Sequence, residues 1–298
     1  MAGLLALSAC KGDTGSAAIA PHKPVTFDTS PIDVDDFEKS AKVQRRCLYM
    51  GFGEAAARLG SLELEASSVI KLTSGTRDSE QADAYLVRQD ADDNLYVRLD
   101  TPGNQIEVSI VDRKTYIRQD KGQMRVADNH DFQAPGWSDI AWSSLAQAME
   151  PFRPSLRFSA GRAARVGDRE AVRFDLSLTP SEPDNKPKVD SLPPTTLAVT
   201  APAGWRERAK ARELSGSLFI DKATGTPLKL SLSGRLAVEE KDGRVTEMTL
   251  TYEGAVKNAG KVAKITAPAA IPEFRIATPP ADPVSFFREH LDPLPPKE

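Results

Sequence analysis

The motifs of the common catalytic classes are missing from this chain of 298 residues. It has three histidines and two cysteines, and it contains no HExxH, GxSxG, Walker-type or GxGxxG motif and no CxxC pair. These absences argue against the usual zinc hydrolases, serine hydrolases and nucleotide-binding enzymes. We therefore predict a protein that is not an enzyme and that uses no metal or cofactor.

An excess charge of one sign and long apolar runs are lacking as well. The 39 Lys and Arg residues nearly balance 42 Asp and Glu residues, and the formal net charge of −3 gives no reason to expect a nucleic acid partner. After Cys10, no stretch approaches the roughly 18 apolar residues that a membrane-spanning helix needs. A chain of this length buries about three quarters of its unfolded surface, so its core needs no disulfide or metal.

The chain does have a lipobox-like run at its N-terminus, Leu7-Ser8-Ala9-Cys10. Apolar residues precede the run and a polar segment follows it, as at the peptidase site of bacterial lipoproteins. If the site is used, residues 1–9 are a signal-peptide remnant and Cys10 carries the lipid. No Lys or Arg precedes Cys10, although signal peptides begin with positive charge, and a true start further upstream explains this most simply. The alternative is an ordinary N-terminus with a stray cysteine.

The state of Cys47 depends on that of Cys10. Lipidation of Cys10 leaves Cys47 without a cysteine partner, whereas an unlipidated Cys10 is free to pair with it in an oxidising compartment. Cys47 follows Arg45 and Arg46, and nearby positive charge lowers the pKa of an exposed thiol. A lone cysteine is more often a small buried hydrophobe, and we favour that interpretation over a reactive role.

Composition divides the chain into segments. Residues 10–30 are rich in Gly, Ser, Ala and Pro, and they predict a lipidated flexible tether. Residues 31–277 predict one half-barrel domain, interrupted by a proline-rich loop or disordered insert at about 180–205. Residues 278–298 form a proline-rich tail.

Helical and strand periodicities share the central domain. Helical spacing predicts a helix at 33–46, which continues toward Arg58 unless Gly51 and Gly53 break it, and a second helix at 140–152. Elsewhere apolar and polar residues alternate in short segments separated by turn signals, the pattern of an antiparallel meander with one covered face. The predicted strands are 62–72, 84–89, 94–99, 105–111, 115–119, 155–160, 171–178, 214–221, 227–239, 244–256 and 261–266.

These elements predict the α+β class, mostly β, with a large curved antiparallel sheet (half-barrel) and two or so helices on its concave face. A curved sheet that side chains cannot fill encloses a cavity for apolar ligands, whereas helices that fill the concavity leave a dry core. The sequence leaves both alternatives open. The candidate ligand-binding residues share the apolar face of the strands: Leu64, Ile70, Ile106, Val108, Ile110, Leu218, Leu230 and Leu232.

Two polar clusters are weaker candidates for a functional site. His130 stands among aspartates, a set that suits acid–base chemistry or a metal but is also common in surface loops. The acidic run at 90–94 lacks the glycine and the distal glutamate of an EF-hand, so a polar hairpin turn explains it better. We therefore assign neither cluster a catalytic or metal-binding role.

Several features together point to a known family. They are the lipobox, the early helix, the meander through Asn94-Leu95-Tyr96-Val97-Arg98, Ile106-Glu107-Val108-Ser109-Ile110-Val111 and Thr115-Tyr116-Ile117-Arg118, and the closing segment from Leu218 to Pro268. In this layout the chain resembles the Lol-type lipoprotein carriers and the LppX/LprG-type lipoproteins over roughly residues 33–268. The resemblance implies a half-barrel that cradles acyl chains and has no catalytic residues.

The sequence thus predicts a membrane-anchored bacterial lipoprotein that binds lipid or acyl chains in an apolar half-barrel cavity at the cell envelope. Its partners would be the membrane, through the acyl anchor on Cys10, and the acyl chains of lipids or lipoproteins. Lys11 follows Cys10 in place of an aspartate, which by resemblance to proteobacterial sorting favours the outer membrane, facing the periplasm. The alternative is a structural or interaction lipoprotein with the same fold and no ligand.

Overall fold

The computed structural model describes residues 26–74, 77–128, 134–179, 209–239 and 243–271. Within these ranges the chain forms three α-helices, two short 3-10 helices and one sheet of twelve strands. None of the described helices has the length and apolar character that crossing a membrane requires. Four predicted features lie outside the described residues: the lipobox with Cys10, His130, the insert at 180–205 and the tail at 278–298.

The helices lie in two parts of the chain. They span Ala41–Leu48 (α1), Phe52–Leu59 (α2) and Ala134–Met149 (α3), and the 3-10 helices span Val34–Asp36 and Glu150–Phe152. α3 begins earlier than the helix predicted at 140–152. It ends in a 3-10 helix that contains Pro151, because proline has no amide hydrogen with which to continue an α-helix.

The helix predicted at 33–46 is broken into shorter pieces. Ser40 begins α1, because its hydroxyl accepts a hydrogen bond from the Val43 amide at 3.3 Å. Gly51, in an extended conformation, precedes α2 and separates it from α1, so the predicted continuation is a helix of its own. Gly60 ends α2 at a φ of 82°, which favours glycine.

The strands are β1 Leu62–Ser74, β2 Arg77–Gln89, β3 Leu95–Thr101, β4 Asn104–Val111, β5 Lys114–Gln119, β6 Arg125–Asp128, β7 Leu156–Phe158, β8 Arg162–Val166, β9 Arg169–Leu178, β10 Ala209–Asp221, β11 Pro227–Glu239 and β12 Val245–Lys257. Their order in the sheet is β6-β5-β4-β3-β2-β1-β12-β11-β10-β9-β7, and β8 also pairs with β9. Every one of these pairs is antiparallel. The pairing of β1 with β12 joins two meanders into one sheet.

Three segments differ from the strand prediction, and β2 and β10 begin earlier than the strands predicted at 84–89 and 214–221. The sequence pattern misses β6, and it misses β8 because that strand exposes most of its residues and so lacks apolar alternation. The strand predicted at 261–266 is wrong, because the amides of this segment bond to side chains at the end of the sheet. The Val262 amide donates to the Ser61 hydroxyl at 3.2 Å, and the Ile265 amide donates to the Asp90 carboxylate at 2.7 Å.

The sheet curves around α3. This helix contacts β3, β2, β1, β12 and β11, which are five neighbours in the sheet. A strand spacing of 4.7–4.9 Å places the outer two about 19 Å apart, and the 16 residues of α3 make a helix about 24 Å long. The helix therefore lies across these five strands on one face of the sheet. The predicted half-barrel with helices on its concave face is confirmed.

Candidate functional site

The predicted ligand-binding residues share the concave face of the sheet. Ile110 is half-buried, and the other seven are buried: Leu64, Ile70, Ile106, Val108, Leu218, Leu230 and Leu232. All eight pack in one hydrophobic core with residues of the three helices. The structure thus brings the set together under a helical layer, and its role in ligand binding stays a prediction.

Hydrogen bonds join α3 to Met50, which precedes α2, and to Phe52, the first residue of α2. The Trp142 indole donates to the Met50 carbonyl at 2.9 Å, and the Phe52 amide donates to the Asp139 carboxylate at 2.9 Å. Asp139 thereby caps α2, because Gly51 at the start of that helix has no side chain to do so. Burial raises the pKa of Asp139, and the Phe52 amide opposes the shift. These bonds make α2 and α3 one unit over the concave face.

A polar cluster interrupts the apolar concave face beneath α3. Its members are Ser68, Asp83, Tyr85, Ser144 and Tyr252. The strand register places Ser68 between Asp83 of β2 and Tyr252 of β12. The hydroxyls of Ser144 and Tyr252 lie 2.9 Å apart, and this bond ties α3 to the sheet. Burial raises the pKa values of Tyr85 and Tyr252, so both phenols are neutral.

Asp83 is the carboxylic acid of this cluster. It is 5% exposed, and it forms no ion pair within the described ranges. The side-chain amide of Gln81, on the same strand, donates to the Asp83 carboxylate at 3.1 Å. Burial raises the pKa of Asp83 because the charged form loses the stabilisation that water provides.

A groove opens where the helical layer meets the edge strand β7, and we call it the edge groove. Its volume is about 120 Å³, and its apolar lining consists of Ala41, Leu48, Ala146, Met149, Leu156 and Phe158. The Phe158 ring packs edge-on against Phe37 with 5.0 Å between the ring centres. Phe37 in turn packs against Phe174 at 4.6 Å. The floor of the edge groove is therefore continuous with the hydrophobic core.

The rim of the edge groove is polar. Its residues are Gln44, Arg45, Tyr49, Glu150 and Arg153. The Tyr49 hydroxyl donates to the Glu150 carboxylate, and burial together with this bond raises the pKa of Tyr49. The Arg153 guanidinium lies 3.8 Å from Glu150 and 6.0 Å from the centre of the Tyr49 ring. Sequence reasoning missed this rim because its residues come from elements far apart in the chain.

A second groove of about 640 Å³ lies among the turns that follow β8, β10 and β12. Its charged lining is balanced, with Arg169, Lys222 and Lys261 against Asp168, Glu170 and Asp221. The buried Asp221 pairs with Arg169 at 2.5 Å, and Lys261 pairs with Asp168. Most of these charges are committed to partners within the fold, and the polar lining does not suit an acyl chain.

The other candidates from the sequence have structural roles. Cys47 is fully buried, and burial raises the pKa of its thiol to about 12, which agrees with its interpretation as a small hydrophobe. The Asp90 carboxylate accepts hydrogen bonds from the amides of Asp92, Asn94 and Ile265, so the acidic run is a turn. In the described part of the chain, no group of three or more His, Cys, Asp or Glu side chains is placed to hold a metal ion.

No protein-family model matches the sequence, and no curated protein matches it. Among solved structures, a LolA superfamily protein from Nitrosomonas europaea is 12% identical, with 76% of this chain and 94% of that chain covered and a TM-score of 0.22. A domain described as an outer membrane lipoprotein-sorting protein, from Vibrio parahaemolyticus, is 10% identical, with 65% and 84% covered and a TM-score of 0.18. The MucA/MucB complex of Pseudomonas aeruginosa matches at 15% identity, with 72% and 56% covered and a TM-score of 0.19.

These structural neighbours include proteins of the Lol type that the sequence resembles. Their identities of 10–15% and TM-scores of 0.18–0.22 do not carry a function from those proteins to this chain. What the chain binds has to be argued from its own residues.

Proposed function

We propose that this protein binds lipid or acyl chains at the bacterial cell envelope, between its helical layer and the concave face of its sheet. The observation that carries the proposal is the edge groove, whose apolar floor runs into the core at Phe158. A chain that enters there meets Leu48, Met149 and Leu156 first, and the core lies behind them. The concave-face residues that the sequence predicts would then contact the far end of the chain.

Binding of a whole chain requires the helical layer to move. Ligand pockets commonly measure about 300–1,000 Å³, whereas the edge groove measures about 120 Å³. A longer chain therefore has to replace contacts that the helices make with the sheet. Each methylene taken out of water contributes about 0.8 kcal/mol, so ten of them contribute about 8 kcal/mol. This is enough to offset the loss of several kcal/mol of helix packing.

The proposed place of action follows from Cys10. In this proposal Cys10 carries the acyl anchor, and residues 10–30 tether the domain of residues 31–277 to the outer membrane, on its periplasmic side. The join between tether and domain supports this arrangement, since the Arg58 guanidinium donates to the Asp28 carbonyl at 2.5 Å. Because Arg58 belongs to α2, the anchor would keep the helical layer close to the membrane.

A second candidate is an interaction or structural lipoprotein that has no ligand. The observation in its favour is the close packing of the concave face, where Leu64, Leu218, Leu230 and Leu232 are 0–1% exposed. A core that is filled by its own helices needs no lipid for stability. Such a protein would be empty after purification from the membrane.

Lipid carried by the full chain distinguishes the two candidates. Ala41→Trp places a large side chain in the edge groove, whereas Lys42→Trp places the same side chain on α1 outside the groove lining. We expect the parent and Lys42→Trp proteins to retain lipid through membrane extraction and Ala41→Trp to lose most of it, as measured by native mass spectrometry. An empty parent protein would favour the second candidate. Equal lipid in all three proteins would contradict entry through this groove.

A further inference from the structure

We infer that the rim of the edge groove binds the oxyanion of a single-chain amphiphile, a phosphate or a carboxylate, through Arg45 and Arg153. The inference rests on the proposed function, because it assigns the polar end of a ligand whose chain lies in the groove. Both arginines line the groove beside its apolar floor. An oxyanion at the rim and a chain on the floor would use both parts of the lining at once.

Arg45 supplies a positive charge that is not paired with a carboxylate among the described residues. It lies on α1 three residues before Leu48, so the two side chains share a helix face, and both line the groove. Arg45 is exposed, and it forms no ion pair with any residue that the structure describes. The adjacent Arg46, by contrast, is paired with Asp28 at 2.7 Å. Arg45 is therefore available to an anion from outside the chain.

Arg153 is only loosely paired within the fold. Its guanidinium is 3.8 Å from Glu150, which exceeds the 2.7–3.2 Å of a hydrogen bond. Glu150 already accepts the hydroxyl of Tyr49. The ring of Tyr49 supports Arg153 through a cation–π contact at 6.0 Å. Arg153 thus keeps its donors available for a ligand beside the Tyr49 ring.

The charge balance of the rim favours an anion. Two guanidinium groups against the one carboxylate of Glu150 leave a net charge of +1 at the rim. Guanidinium presents paired donors that match the oxygens of phosphate and carboxylate, so each arginine is able to bind such a group through two hydrogen bonds. The second groove, with three charges of each sign, offers no such excess.

Titration calorimetry on the full chain tests the inference with three probes. Dodecyl phosphate carries a chain and an oxyanion, monododecanoylglycerol carries a chain without charge, and inorganic phosphate carries the oxyanion alone. The variant combines Arg45→Ala with Arg153→Ala. The control is Arg157→Ala, which removes an exposed arginine of β7 that bonds to Thr179 and does not line the groove.

We expect the double variant to bind dodecyl phosphate at least about tenfold more weakly than the parent, the effect of losing one charge-assisted hydrogen bond. Its affinity for monododecanoylglycerol should match that of the parent, and Arg157→Ala should change neither affinity. Raising the salt concentration should weaken dodecyl phosphate binding to the parent and leave monododecanoylglycerol binding unchanged.

Four results would overturn the inference. An unchanged affinity of the double variant for dodecyl phosphate would do so and would leave the proposed function standing. Loss of both dodecyl probes by the double variant would show that the arginines support the groove and not the oxyanion. Inorganic phosphate binding as tightly as dodecyl phosphate would show an anion site that takes no chain. A parent protein that binds neither dodecyl probe would overturn the inference and the proposed function together.

Discussion

The hydrogen bond between Ser144 and Tyr252 ties α3 to the sheet, so its removal should loosen the helical layer. The two hydroxyls lie 2.9 Å apart, and both residues are buried. The Ser144 hydroxyl also lies 2.6 Å from the Ala141 carbonyl, and it keeps that partner when Tyr252 is changed. Among the described residues, the Tyr252 hydroxyl has no hydrogen-bond partner other than Ser144.

The two single variants should therefore differ in their free energy of unfolding. Tyr252→Phe removes one net hydrogen bond and should lower stability by about 1 kcal/mol. Ser144→Ala leaves a buried phenol without a partner and should lower it by about 1–3 kcal/mol. The double variant should resemble Tyr252→Phe, because it has no phenol left to satisfy. Urea unfolding of all four proteins measures these differences, and a smaller loss in Ser144→Ala than in Tyr252→Phe would refute the reasoning.

The same variants test whether a ligand displaces α3. If it does, Tyr252→Phe lowers the free energy needed to open the helical layer by about 1 kcal/mol, and the affinity for dodecyl phosphate should rise about fivefold. Titration calorimetry measures this change. A less stable variant with unchanged affinity would show that the chain does not bind between α3 and the sheet.

Two buried titratable groups and one glycine give further tests. Because burial raises the pKa of Asp83, the stability that its proton provides is complete below about pH 4 and is lost as pH rises through the folded pKa. Asp83→Asn should remove this loss, so the difference in free energy of unfolding between the variant and the parent should change between pH 4 and pH 7. Urea unfolding at both pH values measures this difference, and an equal difference at the two would contradict the reasoning. The Cys47 thiol, with its pKa raised to about 12, should react with a disulfide reagent at pH 8 only after unfolding, and rapid modification of Cys47 itself in the folded protein would contradict its burial. Gly234→Ala should lower stability by about 1–3 kcal/mol, because the added Cβ would lie 2.3 Å from the Phe152 ring. The control Gly51→Ala has no contact closer than 3.7 Å, and equal melting temperatures of the two variants would refute the clash.

The strands were predictable where one face is buried along their whole length. The prediction at 227–239 matches β11, because apolar residues recur on its buried face from end to end. β8 was not predictable, since an exposed edge strand has no apolar alternation. The segment at 261–266 does alternate, but side chains of Ser61 and Asp90 take the amide bonds that a neighbouring strand would have made.

The candidate site was less predictable than the sheet. Alternation placed Leu64 and Leu230 on one face, but it does not reveal whether helices cover that face. The edge groove depends on contacts between residues that are remote in the chain. Tyr49 and Glu150, for example, are 101 positions apart and meet because α1 lies beside the end of α3. No local pattern in the sequence records that arrangement.

A photoreactive acyl chain tests most directly whether lipid lies between the helical layer and the sheet. Palmitic acid with a diazirine near its terminal methyl, bound to the full chain and irradiated, should label peptides that carry concave-face residues of the sheet, such as Leu64 of β1 and Leu230 of β11. Mass spectrometry of the digested protein locates the label, and Ala41→Trp should lower the yield while Lys42→Trp leaves it unchanged. Labelling confined to the outer face of the sheet, or equal yields from the two variants, would contradict the account.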